Sequence, residues 1–214
     1  MHTESVLKNE LKQRLAGDLP GWKAHIQLAP MERIKGLQEC LVPENARPSA
    51  VVAIIFPKDN DLKILLILRS VYNGAHSGQI SFPGGQKEDS DPDLLFTALR
   101  EVNEEVGIRI NSEQILGKLT SLFIPHSNFL VEPYVAFLDK PPEITIDPSE
   151  VQKAHVVSVA DLLAEESVQI KEVTVRNMQD VKAPCFYVDG LKIWGATAMI
   201  LSELIYVIRS NRLL

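Results

Sequence analysis

The stretch that decides the reading is Arg100-Glu101-Val102-Asn103-Glu104-Glu105-Val106-Gly107-Ile108, with the pair Gly84-Gly85 upstream. Each residue of a helix turns about 100°. Glu101, Glu104 and Glu105 therefore fall within an arc of about 100°. Leu95, Ala98, Leu99, Val102 and Val106 gather on the neighbouring face, where they suit burial. The spacing predicts a helix from about Asp93 to Val106, stopped by Gly107. One helix then carries an apolar stripe for a core and, beside it, three convergent carboxylates.

Three carboxylates so close repel one another, and they sit at the unfavourable end of the helix dipole. The arrangement costs stability unless cations compensate it. Clustered hard oxygen ligands suit Mg²⁺ or Mn²⁺. Such ions neutralise diphosphate oxygens and activate a water nucleophile, and a carboxylate outside the metal shell serves as general base. The competing reading is a solvated acidic helix face, common on protein surfaces. The context argues against it: the helix follows a strand, a Gly-Gly turn and a polar loop, and glycines let a backbone approach a ligand closely.

Outward from this segment, Ala50 to Phe56 and Leu62 to Leu68 are apolar, β-branched runs separated by Lys58-Asp59-Asn60-Asp61. They predict a hairpin or two neighbouring strands. Ser77 to Pro83 reads as a short strand. Further strands are expected at 115–123, 129–138 and 151–157, and two more at 169–176 and 184–188. A short helix is expected at 159–163 and a closing helix at about 194–209. Strands and helices mix without a strict βαβ rhythm, which argues for α+β, or an α/β sandwich on a mixed sheet. Glu4 to Leu15 reads as a helix, with Val6, Leu7, Leu11 and Leu15 at helical spacing. Residues 22–48 are mixed, and Pro43 and Pro48 mark a boundary. The expected organisation is an N-terminal helical extension, 1–48, packed on a main domain, 49–214.

A formal net charge of −6 speaks against coating a nucleic-acid polymer, yet bound cations still allow anionic nucleotides as ligands. Cys40 and Cys185 show no metal or disulfide spacing. The apolar stretch from Ile193 to Ile208 is too short for a membrane span and contains Glu203. The N-terminus has no basic region followed by an apolar run, so a cytoplasmic location is the default expectation.

The deciding segment resembles the Nudix box, GX5EX7REUXEEXGU with U apolar. Residues 100–108 fit its second half at every specified position. In the first half, Asp91 stands where glutamate is expected and the loop is one residue longer, so Asp91 is given no role. Upstream, Leu65-Leu66-Ile67-Leu68-Arg69-Ser70 and His76-Ser77-Gly78-Gln79-Ile80-Ser81-Phe82-Pro83-Gly84-Gly85 are similar to the LLxxRSxxLRxHxGQxSFPGG segment of the coenzyme A pyrophosphatase branch, with Asn73-Gly74 in place of its Leu-Arg pair. Trp194-Gly195-Ala196-Thr197-Ala198 resembles that branch's WGxTA segment.

The resemblance implies a Nudix-like α/β/α sandwich around a mixed β-sheet. It implies hydrolysis of a diphosphate linkage with Mg²⁺ or Mn²⁺, coenzyme A being the favoured substrate and 4′-phosphopantetheine and adenosine 3′,5′-bisphosphate the products. Glu101, Glu104 and Glu105 are the implied metal ligands and catalytic carboxylates, with the Gly84 carbonyl beside them and Arg100 orienting a glutamate. Arg69, His76 and Gly85 are the substrate-binding candidates. Glu132 and Glu150 are candidates for one more metal ligand. Ser127 and Asn128 are candidates for the site wall, and Trp194 is read as core. Three alternatives stay open: another nucleoside diphosphate derivative as substrate, a non-catalytic binding domain, and an isomerase on the same fold. A homodimer is compatible with the sequence, though no motif argues for one.

Overall fold

The computed structural model describes residues 2–39, 41–71, 78–173 and 181–209. Three short helices come first: α1 (His2–Leu15), α2 (Trp22–His25) and α3 (Met31–Gln38). The chain then runs through β1 (Arg47–Lys58), β2 (Asp61–Arg69), β3 (Ile80–Ser81), β4 (Gly84–Gln86) and α4 (Leu94–Val106). Next come β5 (Ile115–Lys118), β6 (Leu122–Ile124), β7 (Phe129–Phe137), β8 (Val151–Ser158) and α5 (Val159–Leu163). It closes with β9 (Val168–Val173), β10 (Val181–Val188), β11 (Leu191–Trp194) and α6 (Gly195–Arg209).

The β1–β2 hairpin turns on Asp59 and Asn60, both at positive φ. Two left-handed central residues match the twist of the flanking strands. On its other edge β1 pairs in parallel with β7, from Arg47 opposite Phe129 to Ile55 opposite Phe137. The remaining pairings of this sheet are antiparallel, with the order β3-β2-β1-β7-β5. β4 adds to β1, β6 to β7 and β8 to β2. The sheet is therefore mixed, as its irregular strand–helix rhythm predicts. β9, β10 and β11 form a separate three-stranded sheet.

Strand side chains alternate between faces, and β1 shows it. Ala50, Val52, Ile54 and Phe56 pack with Ala98, Val102 and Val106 of α4. Ala53 and Ile55 pack on the opposite face with Leu11 of α1 and Leu201 and Leu204 of α6. The result is a helix–sheet–helix sandwich. No described helix is long and apolar enough to cross a membrane.

Sequence periodicity misses three features. The strand expected over 115–123 is two strands, β5 and β6, because Thr120 turns its amide away from the ladder to Glu203. β4 and β11 are additional: Gly84-Gly85 has no side chains from which a strand pattern is read. The 22–48 segment holds α2 and α3.

Glu203, which interrupts the apolar α6, is fully buried. It accepts hydrogen bonds from the Gly21 amide at 2.9 Å and the Thr120 hydroxyl at 2.7 Å. It also accepts from the Thr120 amide at 3.0 Å and meets His25 Nε2 at 3.1 Å. Burial pushes its pKa up, but the His25 and Thr120 contacts outweigh this and hold it below the usual value. One carboxylate thus ties the N-terminal segment, the β5–β6 turn and α6 together. Glu203→Ala leaves these donors unpaired and is expected to cost about 3 kcal/mol, read as a lower urea midpoint at unchanged slope.

Candidate active site

Helix α4 is placed by its ends. Asp93 caps it, accepting from the Phe96 amide at 2.8 Å, and Gly107 closes it in the left-handed region at φ 70°. The loop before β8 then closes over the last turn. The Thr145 amide reaches the Val106 carbonyl at 3.0 Å, and the Asp147 amide the Glu105 carbonyl at 3.1 Å. These bonds satisfy carbonyls that a helix end leaves without partners, and they carry Glu150 to the glutamates of α4.

Glu101, Glu105 and Glu150 offer carboxylate oxygens that all lie within 4.8 Å of one another. Glu105 has no exposed surface. Its Oε1 accepts from Arg69 Nη1 at 2.7 Å and its Oε2 from the Gly84 amide at 2.8 Å. Arg69 also reaches the Gly84 carbonyl at 3.4 Å. Burial pushes the Glu105 carboxyl up to about 7, against the downward pull of Arg69 and the Gly84 amide. Burial also raises Glu101, against Arg100. Oxygen-only donors, crowded and half-desolvated, fit a hard divalent cation.

The two glycines make the cluster possible. A Cβ at Gly85 would lie 2.4 Å from the Glu101 carboxyl carbon. Gly84 sits at φ 144°, and a Cβ there would lie 2.3 Å from the Ala50 carbonyl oxygen. The Glu101 carboxylate thus stands where a side chain at Gly85 would be, and the Gly84 backbone lies close against β1.

Arg100 is held by Asp91, which the sequence reading leaves without a role. Arg100 Nε and Nη2 bind the two Asp91 oxygens at 3.1 and 2.9 Å. Asp91 is buried and also takes the Thr97 hydroxyl at 2.9 Å and the Glu88 amide at 3.0 Å. The Arg100 hydrogen bonds hold Asp91 far below the usual carboxylate range. The remaining arginine nitrogen meets Glu101 at 3.0 Å and Glu104 at 2.8 Å. The two-pronged contact with Asp91 positions Arg100 beside Glu101 and Glu104.

Glu101 and Glu150 of the cluster line a cleft of about 540 Å³. Val51, Ile80, Phe82, Phe129, Val131 and Ile200 supply its apolar lining. Ser49, Gln79, Gln86 and Thr197 add polar groups. The Thr197 hydroxyl donates to the Ile80 carbonyl at 2.9 Å, so the Trp194–Ala198 segment lines the same cleft as Glu101 and Glu104.

Of the residues singled out in sequence, Glu101, Glu105, Gly84, Gly85, Arg69 and Arg100 converge. Glu104 lines the cleft but turns to Arg100, outside the three-carboxylate group. Glu150 joins the group, whereas Glu132 pairs with Lys118 at 2.9 Å and Tyr134 at 2.5 Å. Asn128 turns its amide to the Asn45 carbonyl. Trp194 is half-buried, opposite Cys185 on β10. His76 and Asn73-Gly74 lie outside the described residues.

Comparison with known proteins identifies the family. Residues 46–178 match the NUDIX domain model, and the chain belongs to the Nudix hydrolase family. It is 36% identical over 163 residues to the Uncharacterized Nudix hydrolase NudL of Photorhabdus laumondii, covering 75% of this chain and 84% of that one. It is 31% identical to the Peroxisomal coenzyme A diphosphatase ndx-8 of Caenorhabditis elegans, over 62% of this chain and 58% of that protein. With the human Mitochondrial coenzyme A diphosphatase NUDT8 it shares 30%, over 64% and 59%. The match thus spans less than two thirds of the worm and human proteins. The NUDIX domain of Shewanella oneidensis NrtR, solved with ADP ribose, superposes at a TM-score of 0.53 and 17% identity, over 86% of this chain and 98% of that one. That likeness shows the fold.

Gly85→Ala meets only the end of a flexible side chain, so the fold should survive while Glu101 is displaced and divalent-cation affinity falls at least about tenfold. Gly84→Ala meets backbone at a positive φ and should instead lower stability, by about 1–3 kcal/mol for the strained backbone alone. Calorimetric titration and thermal melts separate the two.

Glu105 has a folded pKa of about 7, above the roughly 4.3 of an unfolded glutamate. Its contribution to stability is therefore full below about 4 and is lost as pH rises through about 7. Between pH 5 and 8 the metal-free protein should lose stability relative to Glu105→Gln. A cation must displace that proton, so its affinity should rise with pH up to about 7.

Proposed function

We propose that this protein hydrolyses the diphosphate linkage of coenzyme A, or of its acyl forms, with Mg²⁺ or Mn²⁺ as cofactor. The observation that carries the reading is the buried Glu105, tied to Arg69 and Gly84 and joined by Glu101 and Glu150, beside a cleft with an apolar floor. The coenzyme A diphosphatases among its relatives support the substrate.

The chain's own groups account for most of the chemistry. Glu101, Glu105 and Glu150, with the Gly84 carbonyl beside them, would hold the cation. A divalent cation there supplies charge neutralisation at the diphosphate and acidifies an attacking water. Arg69 and the Gly84 amide fix the Glu105 carboxylate so that little reorganisation accompanies reaction. Arg100, held by Asp91, sets Glu101 and Glu104 on the rim. Water adds to one phosphorus, a carboxylate of this set takes its proton, and the bridging P–O bond breaks with its electrons on the departing phosphate. The products are 4′-phosphopantetheine and adenosine 3′,5′-bisphosphate. The apolar cleft wall suits the nucleoside and part of the pantetheine arm.

Incubation with coenzyme A and Mg²⁺ or Mn²⁺ is expected to yield those two products, and Glu105→Gln to reduce turnover by at least about a hundredfold, about 2.7 kcal/mol in the barrier. The Asn73-Gly74 departure favours a second reading, a different nucleoside diphosphate derivative. Turnover of such a compound without cleavage of coenzyme A would replace the first reading by the second. Absence of turnover on every diphosphate would favour a binding domain.

A further inference from the structure

Two arginines line the cleft among its described residues, Arg69 and Arg100. Both are engaged with carboxylates, Arg69 with Glu105 and Arg100 with Asp91, Glu101 and Glu104. They organise the glutamates and add little net positive charge for a substrate phosphate. A third arginine, Arg47, stands beside the lining residues of β1. Arg47 begins β1, and strand alternation puts it on the same face as Ser49 and Val51, which line the cleft. Its parallel neighbour is Phe129 of β7, another lining residue.

The Arg47 guanidinium carbon lies 4.4 Å from the Phe129 ring centre. One nitrogen donates to the Gln86 side-chain oxygen. Phe129 and Gln86 both line the cleft, so a lining residue supports each contact. Among the described residues Arg47 has no carboxylate partner, and it is exposed. Phe129 lies against the guanidinium and Gln86 takes one donor. A guanidinium has five N–H donors, and those not given to Gln86 suit phosphate oxygens.

Position selects the phosphate. Val51 lies opposite Gly84 at the glutamate end. Four residues of strand, about 13 Å, separate its backbone from that of Arg47, whose guanidinium meets Gln86, the partner of Ser49. A diphosphate held by the glutamates does not span that floor, whereas a nucleoside attached to it extends along it. We propose that Arg47, braced by Phe129 and Gln86, binds a phosphomonoester on the nucleoside part of the substrate, remote from the scissile diphosphate. This rests on the coenzyme A reading, in which that group is the 3′-phosphate, and it makes Arg47 the residue that selects for it.

Binding to the full-length chain with Mg²⁺, measured by calorimetry, tests this without turnover. Wild type should bind adenosine 3′,5′-bisphosphate at least about tenfold more tightly than AMP. Arg47→Gln should bring the two affinities within about twofold, and Arg47→Lys should keep part of the preference. Because both ligands are read on one variant, a general loss of folding lowers both and leaves their ratio. No preference in wild type, or an equal loss on both ligands in Arg47→Gln, overturns the inference. The second outcome would mark Arg47 as a platform for the base.

Turnover separates this failure from that of the proposed function. The loss of kcat/KM in Arg47→Gln should be at least about tenfold heavier on coenzyme A than on 3′-dephospho-coenzyme A. Equal losses, with coenzyme A still cleaved by wild type, sink the Arg47 inference and leave the activity. An intact binding preference, with no cleavage of coenzyme A by wild type, sinks the activity and leaves Arg47.

Discussion

Glu105 carries a carboxylate with no exposed surface, and the site is arranged around that fact. An ionised carboxylate leaves water only when compensated. Here Arg69 comes from the end of β2 and the Gly84 amide from β4. These strands lie on the same side of β1 and separate along it, β2 pairing at residues 54–58 and β4 at 49–51. The charge bridges their divergence, and the cleft opens there. Two strands thus meet α4 at Glu105 because its buried charge requires donors, and the loop adds Glu150, a like charge that a cation offsets.

The electrostatics of the cleft are graded by burial. Glu105 is inside and pushed up to about 7, Glu101 is half-buried and raised, and Glu150 is exposed. Arg69 and Arg100 partly offset the carboxylates and hold them in place. Such a set favours a divalent cation over a free phosphate there, and Arg47 supplies the cationic contact.

The cleft wall depends on a second buried carboxylate. α6 contributes Ala196, Thr197 and Ile200 to the wall and, further along, Glu203 to the core. Through Glu203, α6 is bound to Gly21 and His25 of the N-terminal segment. Leu7, Leu11 and Leu15 of α1 add apolar contact in the same cluster. The N-terminal segment therefore braces the helix that walls the cleft, although none of its described residues lines it.

What could be read without coordinates was local or periodic. The α4 helix, its Asp93 and Gly107 ends, the hairpin turn at Asp59-Asn60 and the alternation of β1 each follow from a few neighbouring residues, because capping, turn chemistry and strand alternation act over short separations. The mixed sheet followed from the order of elements. What needed the tertiary structure was every pairing across long separation. Asp91 became the partner of Arg100, Glu150 joined Glu101 and Glu105 while Glu104 turned aside, Arg69 met Glu105, and Glu203 proved to be a buried hub. Charge type is visible in a sequence. Which charges share one desolvated point is decided by the packing of separate elements, since only there do burial and pairing set the energy of each carboxylate.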